Sequence, residues 1–215
     1  MSMRFGHGFV YRTRRRFFSN NGAFVGRHLP NGAISLVQAI RRKVLNSYPE
    51  LPWIPFSATR VLNQLCRKEW IVHEVGSGLS TMWLAKRVRF VTSIEADEGW
   101  YAKLQAFVDK RGIDNVDLRY EWRRHIMSDF SDVPDASLDL LFIDGGPRSE
   151  CLANGFGKVR SGGYLYLDNT DDTNMWPGLA EFLVEKEPMI NRIRRFIDYV
   201  PASVQVSEGL LIQRR

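Results

Sequence analysis

A glycine-rich turn follows the first apolar strand of the chain, and its residue types suit the binding of a small ligand. The turn contains Glu74, Gly76, Ser77, Gly78, Ser80 and Thr81. Glycines let the backbone approach a ligand closely, and the next helix begins with free N–H groups. Thr81 replaces the third glycine of a dinucleotide fingerprint, and Glu74 would repel a pyrophosphate. The turn therefore favours a cationic or zwitterionic ligand, and an ordinary strand-to-helix turn is the alternative.

Three further strand ends carry acids or amides. Glu95 ends the second strand, where a carboxylate can accept hydrogen bonds from both hydroxyls of a ribose. A solvent-exposed acid is the alternative interpretation. Asp144 ends the fourth strand, and Asp168 and Asn169 end the fifth. Because the carboxyl ends of parallel strands meet at one edge of a sheet, we expect these side chains to share a site with the glycine turn.

The order of strands and helices predicts an α/β domain from Trp70 onward. The predicted strands are Trp70–Val75, Phe90–Ile94, Val116–Tyr120, Leu138–Ile143 and Tyr164–Leu167, followed by a two-strand tail at Ile193–Val200 and Ser203–Ile212. A helix that Asp97 caps and Gly112 ends lies between the second and third strands. The pattern indicates a doubly wound parallel sheet with helices on both faces.

The N-terminal third divides into two regions. Residues 1–32 form a basic, aromatic arm, and residues 33–68 form a helical cover over the domain of residues 69–215. Apolar residues recur at helical spacing between Ala33 and Tyr48, and Ser57 is predicted to cap a second helix.

Charge is unevenly distributed along the 215 residues. The net charge is +6, but residues 1–49 hold nine basic residues and no acidic one, which leaves 21 basic and 24 acidic residues in 50–215. The basic run Arg12 to Arg16 predicts an anionic partner, either a nucleic acid or a membrane surface. A solvated tail that packs partly on the body is the alternative. The charge does not make the whole chain a nucleic-acid binder.

The motifs together resemble those of class I S-adenosylmethionine-dependent methyltransferases. The resemblance is carried by Glu74-Val75-Gly76-Ser77-Gly78, by Glu95 and by Leu140-Leu141-Phe142-Ile143-Asp144-Gly145. The segments Pro52–Pro55 and Asp168–Asp171 resemble segments of small-molecule O-methyltransferases and of the FkbM-like group. The resemblance implies a Rossmann-like sheet of seven strands with an antiparallel last strand.

The resemblance also implies a cofactor, S-adenosyl-L-methionine, and roles for individual residues. Glu74 and the turn would hold the methionine part, and Glu95 would hold the ribose. Ala96 would pack near the adenine, and Trp122 would stack on it; ordinary aromatic packing is the alternative for Trp122.

Asp144, Asp168 and Asn169 occupy positions that resemble the metal ligands of catechol-type O-methyltransferases. Oxygen ligands of this kind suit Mg²⁺. The chain departs from that pattern, since Pro147 stands where those enzymes have a lysine. Without a metal, Asp144 would act as the catalytic base and Arg148 would bind an anionic substrate group.

The predicted function is methyl transfer to a hydroxyl of a small molecule. The alternatives are methylation of RNA, a non-catalytic binding protein that retains the fold, and an NAD-linked dehydrogenase, which Thr81 disfavours. The sequence has no run of 18 apolar residues, so it predicts no transmembrane helix, and no secretory signal is visible. We therefore expect a cytoplasmic protein, and the sequence leaves its oligomeric state open.

Overall fold

The computed structural model describes residues 4–5 and 9–10, and then residues 26–215. The predicted arm of residues 1–32, including its basic run, therefore lies largely outside the described residues. The two short strands at its start are β1 (Arg4–Phe5) and β2 (Phe9–Val10), which pair antiparallel.

Seven strands form the central sheet. They are β3 (Ile71–Val75), β4 (Phe90–Glu95), β5 (Val116–Tyr120), β6 (Leu138–Ile143), β7 (Val159–Asp168), β8 (Ile190–Tyr199) and β9 (Val206–Arg214). Their order is β5-β4-β3-β6-β7-β9-β8, and the five strands from β3 to β7 are parallel. β9 runs antiparallel to both of its neighbours. The predicted Rossmann-like sheet, with its antiparallel last strand, is confirmed.

Helices cover both faces of this sheet. They are α1 (Leu29–Leu45), α2 (Phe56–Leu65), α3 (Leu79–Ala85), α4 (Glu98–Arg111), α5 (Arg124–Met127), α6 (Arg148–Gly155) and α7 (Trp176–Glu185). Successive residues of β6 point to opposite faces. Leu140 and Phe142 pack in one core with α2 and α3, whereas Leu141 and Ile143 pack in the other with α6 and α7. Burial on both sides explains why β6 is apolar at every position except Asp139.

Two predicted local features are confirmed around α4. The N–H of Trp100 donates to Asp97 Oδ1 at 2.7 Å, and Gly112 ends the helix with a φ of 59°. The cap places α4 directly after Glu95 at the end of β4. The fifth predicted strand begins earlier than expected, at Val159, and the predicted turn at residues 161–163 is an irregularity within β7.

The buried carboxylate of Asp198, near the end of β8, ties the helical cover to the sheet. It accepts hydrogen bonds from Asn31 Nδ2 at 2.8 and 3.1 Å, and from the backbone N–H of Ser57 at 2.9 Å. The prediction that Ser57 caps α2 is wrong, because Ser57 lies inside the first turn and Asp198 supplies the acceptor. α1 begins at Leu29, four residues inside the predicted arm.

Candidate active site

An open cavity lies at the carboxyl edge of the sheet, beside the glycine turn. It is lined by Trp53, Gly76, Ser77, Gly78, Leu79, Ser80, Trp100 and Asp144. Hydrogen bonds to both neighbouring strands fix its floor: Gly76 N–H donates to the carbonyl of Ile94, and Asp144 N–H donates to that of Val75, each at 2.9 Å. The turn and Asp144, which are 66 residues or more apart in sequence, therefore share one site, as the strand ends predicted.

Glu74 and Thr81 support the glycine turn from below and do not line the cavity. The hydroxyl of Thr81 donates to Glu74 Oε2 at 2.5 Å and accepts from the N–H of Gly78 at 3.0 Å. Ser93 also donates to Glu74 Oε2 at 2.5 Å, and its hydroxyl lies 2.6 Å from that of Ser77. Burial raises the pKa of Glu74 to about 7, although these hydroxyls oppose the rise. Glu74 therefore stabilises the turn, and its side chain is not among those that line the cavity.

Glu95 contacts the backbone of the turn but is not among the residues that line the cavity. Its Oε1 accepts from the N–H groups of Ala96 at 2.9 Å and Asp97 at 2.8 Å, and the backbone of Ser77 also contributes a hydrogen bond. Burial raises the pKa of Glu95. A carboxylate has about four acceptor positions, so this one retains capacity for ligand hydroxyls. Ala96 itself is exposed and contributes its backbone.

Tryptophans form the walls of the cavity, although not all of those that the sequence singled out. Trp100 lines the cavity, and its Nε1 donates to the carbonyl of Ser77 at 3.0 Å. The helical spacing of Trp100 with Leu104 and Val108 would instead place it on the apolar face of α4. The sequence signal for a position at the cavity was that Trp100 lies only five residues after Glu95. Trp53, predicted as part of the cover, lines the cavity, whereas Trp122 is 63% exposed and does not.

Arg148 joins the ends of β6 and β7. Its Nη2 donates to the carbonyl of Asp144 at 2.5 Å and to Asn169 Oδ1 at 2.9 Å, and lies 3.6 Å from Asp144 Oδ1. Asp168 is buried and accepts from the hydroxyl of Tyr166 at 2.9 Å. Burial raises the pKa of Asp144 well above its ordinary value, the neighbouring Asp168 raises it further, and Arg148 opposes both effects. Arg148 is thus engaged with this acidic cluster, where the sequence predicted a grip on an anionic substrate.

The three predicted magnesium ligands do come together, but their surroundings do not suit a divalent cation. The guanidinium of Arg148 already supplies a positive charge between Asp144 and Asn169. Asn169 is further held by its Nδ2, which donates to Ser207. Within the described residues, no group of three His, Cys, Asp or Glu side chains is arranged to hold a metal ion. We therefore derive no chemical step through a metal.

A second cavity adjoins this cluster on the far side of β7. It is lined by Thr170, Asp171, Trp176, Leu179, Arg195, Glu208 and Leu210. Trp176 lines this cavity, and its Nε1 donates to the carbonyl of Thr170 at 2.9 Å. Arg195 pairs with the buried carboxylate of Glu208 at 2.6 Å.

Comparisons with known proteins relate the chain to methyltransferases. Residues 73–170 match the family model described as "Methyltransferase domain", which covers slightly less than half of the chain. The search of curated proteins gives no match. The fold resembles that of an O-methyltransferase from Bacillus cereus in complex with SAH, with a TM-score of 0.58 and 18% identity over 84% of this chain and 98% of that one.

Other solved structures share the fold, but their names describe different kinds of methyltransferase. A putative O-methyltransferase from Klebsiella pneumoniae aligns with a TM-score of 0.58 and 16% identity, over 85% of this chain and 98% of that one. A tRNA (m1A58) methyltransferase from Aquifex aeolicus aligns with a TM-score of 0.56 and 19% identity, over 79% and 70%. At these identities the likeness describes the fold and leaves the substrate open.

Residues 73–170 therefore match a methyltransferase domain, and the sheet has the class I fold. The family model and the shared fold support the motif-based prediction of an S-adenosylmethionine-dependent methyltransferase. Among the described residues, no helix is both long enough and apolar enough to cross a membrane.

Proposed function

We propose that the cavity beside the glycine turn binds S-adenosylmethionine, and that the chain transfers the methyl group to a hydroxyl of a small molecule. The observation that carries the cofactor assignment is the position of Glu95. Glu95 ends β4, and its carboxylate accepts hydrogen bonds from the backbone N–H groups of Ala96 and Asp97. It also contacts the backbone of Ser77, which lines the cavity. In this proposal the ribose hydroxyls donate hydrogen bonds to the acceptor positions that remain free on Glu95.

The remaining cofactor contacts follow from the lining. Ser77, Gly78 and Ser80 present the start of α3, where free backbone N–H groups suit the carboxylate of the methionine part. Trp53 and Trp100 flank the cavity. When bound, the cofactor supplies a methyl group that is activated by its sulfonium.

Asp144 is our candidate for the catalytic base. It lines the cavity, and its raised pKa makes the carboxylate a stronger base than an exposed aspartate. The acceptor oxygen bonds to the methyl carbon as the sulfur–methyl bond breaks, and the hydroxyl proton passes to Asp144. Arg148 and Asn169 position Asp144 for this step.

A small acceptor is favoured over RNA by the charges near the site. The cavity lining contains Asp144 and no Lys or Arg, whereas RNA binding usually uses cations along the phosphate backbone. RNA methylation remains the second candidate, because the basic arm and the fold of the tRNA enzyme are both compatible with it. A cytoplasmic location stays a prediction.

Calorimetric titration with S-adenosylmethionine tests the cofactor site. We expect Glu95→Ala to weaken binding on the order of 100-fold, since two hydrogen bonds to a charged group are lost. Glu69→Ala is the matched control, because Glu69 is an exposed acid before β3, at the opposite edge of the sheet. Equal affinity in both variants would overturn the assignment of Glu95.

The acceptor class requires a separate measurement. The purified protein is incubated with S-adenosylmethionine labelled in its methyl group, together with either total cellular RNA or a small-molecule extract. Label that enters the small-molecule fraction and is lost in Asp144→Asn supports the proposal. Label that enters only the RNA would replace it with the RNA reading while leaving the cofactor site intact.

A further inference from the structure

Helix α1 is packed with its polar side against the protein and its apolar side outward. Asn31 and Ser35 are its only buried residues, and both serve hydrogen bonds to the body. Ser35 Oγ donates to the carbonyl of Val200 at 2.7 Å and accepts from the N–H of Val204 at 2.9 Å. Gln38 accepts from the N–H of Ala202 at 3.2 Å. The helix is therefore fixed by polar contacts, and among the described residues no element packs on its hydrophobic side.

The opposite side presents a continuous aliphatic surface. Its members are Ile34, Val37, Ile40, Val44 and Leu45, which are 49, 57, 53, 71 and 64% exposed. The first four recur at intervals of three and four residues and Leu45 directly follows Val44, so the five lie on one side of the helix. We call these five residues the α1 face. A contiguous exposed apolar surface of this kind marks an interaction site more often than a scattering of single residues does.

Charge around the α1 face indicates what it contacts. Arg41 and Lys43 lie in the same helix and are exposed, and the sequence up to residue 49 has no acidic side chain. A second copy of the helix would bring like charges together without any carboxylate from this segment to balance them. RNA would be attracted by the cations, but it offers little to an aliphatic surface. An anionic lipid bilayer satisfies both features, because its headgroups attract Arg and Lys while its acyl boundary accepts aliphatic side chains.

Helix α1 also contacts the mouth of the active site, through Arg42 and through Tyr48. Tyr48, just beyond the end of the helix, stacks on Trp53 with ring centroids 6.4 Å apart. The guanidinium of Arg42 lies 5.5 Å from the centre of the Trp53 ring. Trp53 in turn lines the cavity next to the glycine turn. A surface that binds α1 would therefore lie close to the opening of the cavity.

We propose that the α1 face docks the protein on the surface of an anionic membrane, with α1 lying in the plane of the interface. The protein binds peripherally: the aliphatic side chains enter the headgroup boundary, and Arg41 and Lys43 pair with anionic headgroups. The apolar surface and the anionic lipid both contribute to binding, so binding weakens at high salt but is not abolished as a purely ionic contact would be.

Co-sedimentation of the full chain with vesicles tests this proposal. We expect binding to vesicles rich in phosphatidylserine and at least about tenfold weaker binding to vesicles of phosphatidylcholine alone. Val44→Glu should reduce binding to the anionic vesicles on the order of tenfold, since it removes an apolar contact and adds a negative charge. Val184→Glu is the matched control, because Val184 is an 80% exposed valine on α7. Circular dichroism and the affinity for S-adenosylmethionine should be unchanged in both variants.

Three results would overturn the proposal. The first is absence of binding to anionic vesicles, and the second is equal loss of binding in Val44→Glu and Val184→Glu. The third is a concentration-dependent dimer in sedimentation analysis that Val44→Glu dissociates, which would assign the α1 face to a second copy. The variant Arg41→Gln/Lys43→Gln separates the two contributions, since it should weaken binding to anionic vesicles while retaining the residual binding to neutral ones.

Discussion

Gly76 and Gly145 lie backbone against backbone, so that a Cβ atom on Gly145 would come 2.6 Å from the Cα of Gly76. Gly76 also has a φ of +95°, which side-chain-bearing residues rarely adopt. This contact joins the turn after β3 to the end of β6. It therefore sets how far Asp144 lies from the cofactor side of the cavity.

We predict that Gly145→Ala destabilises the protein by about 1–3 kcal/mol, because two strand ends must separate to make room for the methyl group. Thermal unfolding should show a fall in Tm on the order of 5 °C. The affinity for S-adenosylmethionine should fall as well. Gly157→Ala is the control, since a Cβ there meets no atom within 4 Å. If both variants melt at the same temperature, the close contact does not constrain the turn.

Glu74 makes a second prediction, which concerns pH. Burial raises its pKa from 4.5 to about 7. Between these values the folded protein keeps a proton that the unfolded chain has lost, so stability falls as the pH rises through this range. Glu74→Gln should remove that slope and stabilise the protein above pH 7, by an amount on the order of 3 kcal/mol. Urea denaturation across the pH range measures the difference.

The buried acid Asp144 contributes a slope of the same sign to both proteins. Because the charge of Glu74 also raises the pKa of Asp144, after burial and Asp168, the variant should lose part of that slope as well. Glu121→Gln is the control, because Arg123 lowers the pKa of Glu121 to about 2, outside the range of interest. This control should keep the slope of the unmodified protein. A Glu74→Gln variant with the same slope as the unmodified protein would show that Glu74 titrates elsewhere.

The class of sheet and the edge that carries the acids could be predicted from sequence, because the strands show as local patterns. Apolar runs defined the strands, and Glu74, Glu95 and Asp144 each lie within one residue of the end of one of them. The topology then brought these ends to one edge. Gly112 and Asp97 likewise marked the ends of α4, since capping depends on residues within one turn of the helix.

The partners of individual side chains could not be predicted in this way. Arg148 contacts Asn169 across 21 positions, and Asn31 contacts Asp198 across 167. No local pattern encodes either pair. The orientation of α1 was also beyond the sequence, since its apolar spacing predicts a helix but not which side faces the body. Trp100 illustrates the same limit, because its periodicity fits a core position while its indole lines the cavity.

Arg148 supports the third prediction. It is the cation that faces Asp144 and Asn169, and its side chain is only 19% exposed. Arg148→Met should destabilise the protein by about 3–5 kcal/mol, because it leaves buried carboxylates without a counter-charge. Arg148→Lys should recover part of this loss, since a single ammonium cannot reproduce two fixed guanidinium contacts. Arg124→Met, which removes an exposed ion pair with Glu150, should cost less than about 1 kcal/mol.

Magnesium distinguishes a guanidinium cluster from a metal site. If Arg148 supplies the positive charge that Asp144, Asp168 and Asn169 require, added Mg²⁺ should not change the Tm of the unmodified protein. In Arg148→Met the oxygen atoms lose their cation, so Mg²⁺ should bind there and raise the Tm as its concentration increases. Stabilisation of the unmodified protein by Mg²⁺, removed by Asp168→Asn, would contradict this reading. The cluster would then be a metal site in which Arg148 yields its place, and the predicted catechol-type ligands would be correct.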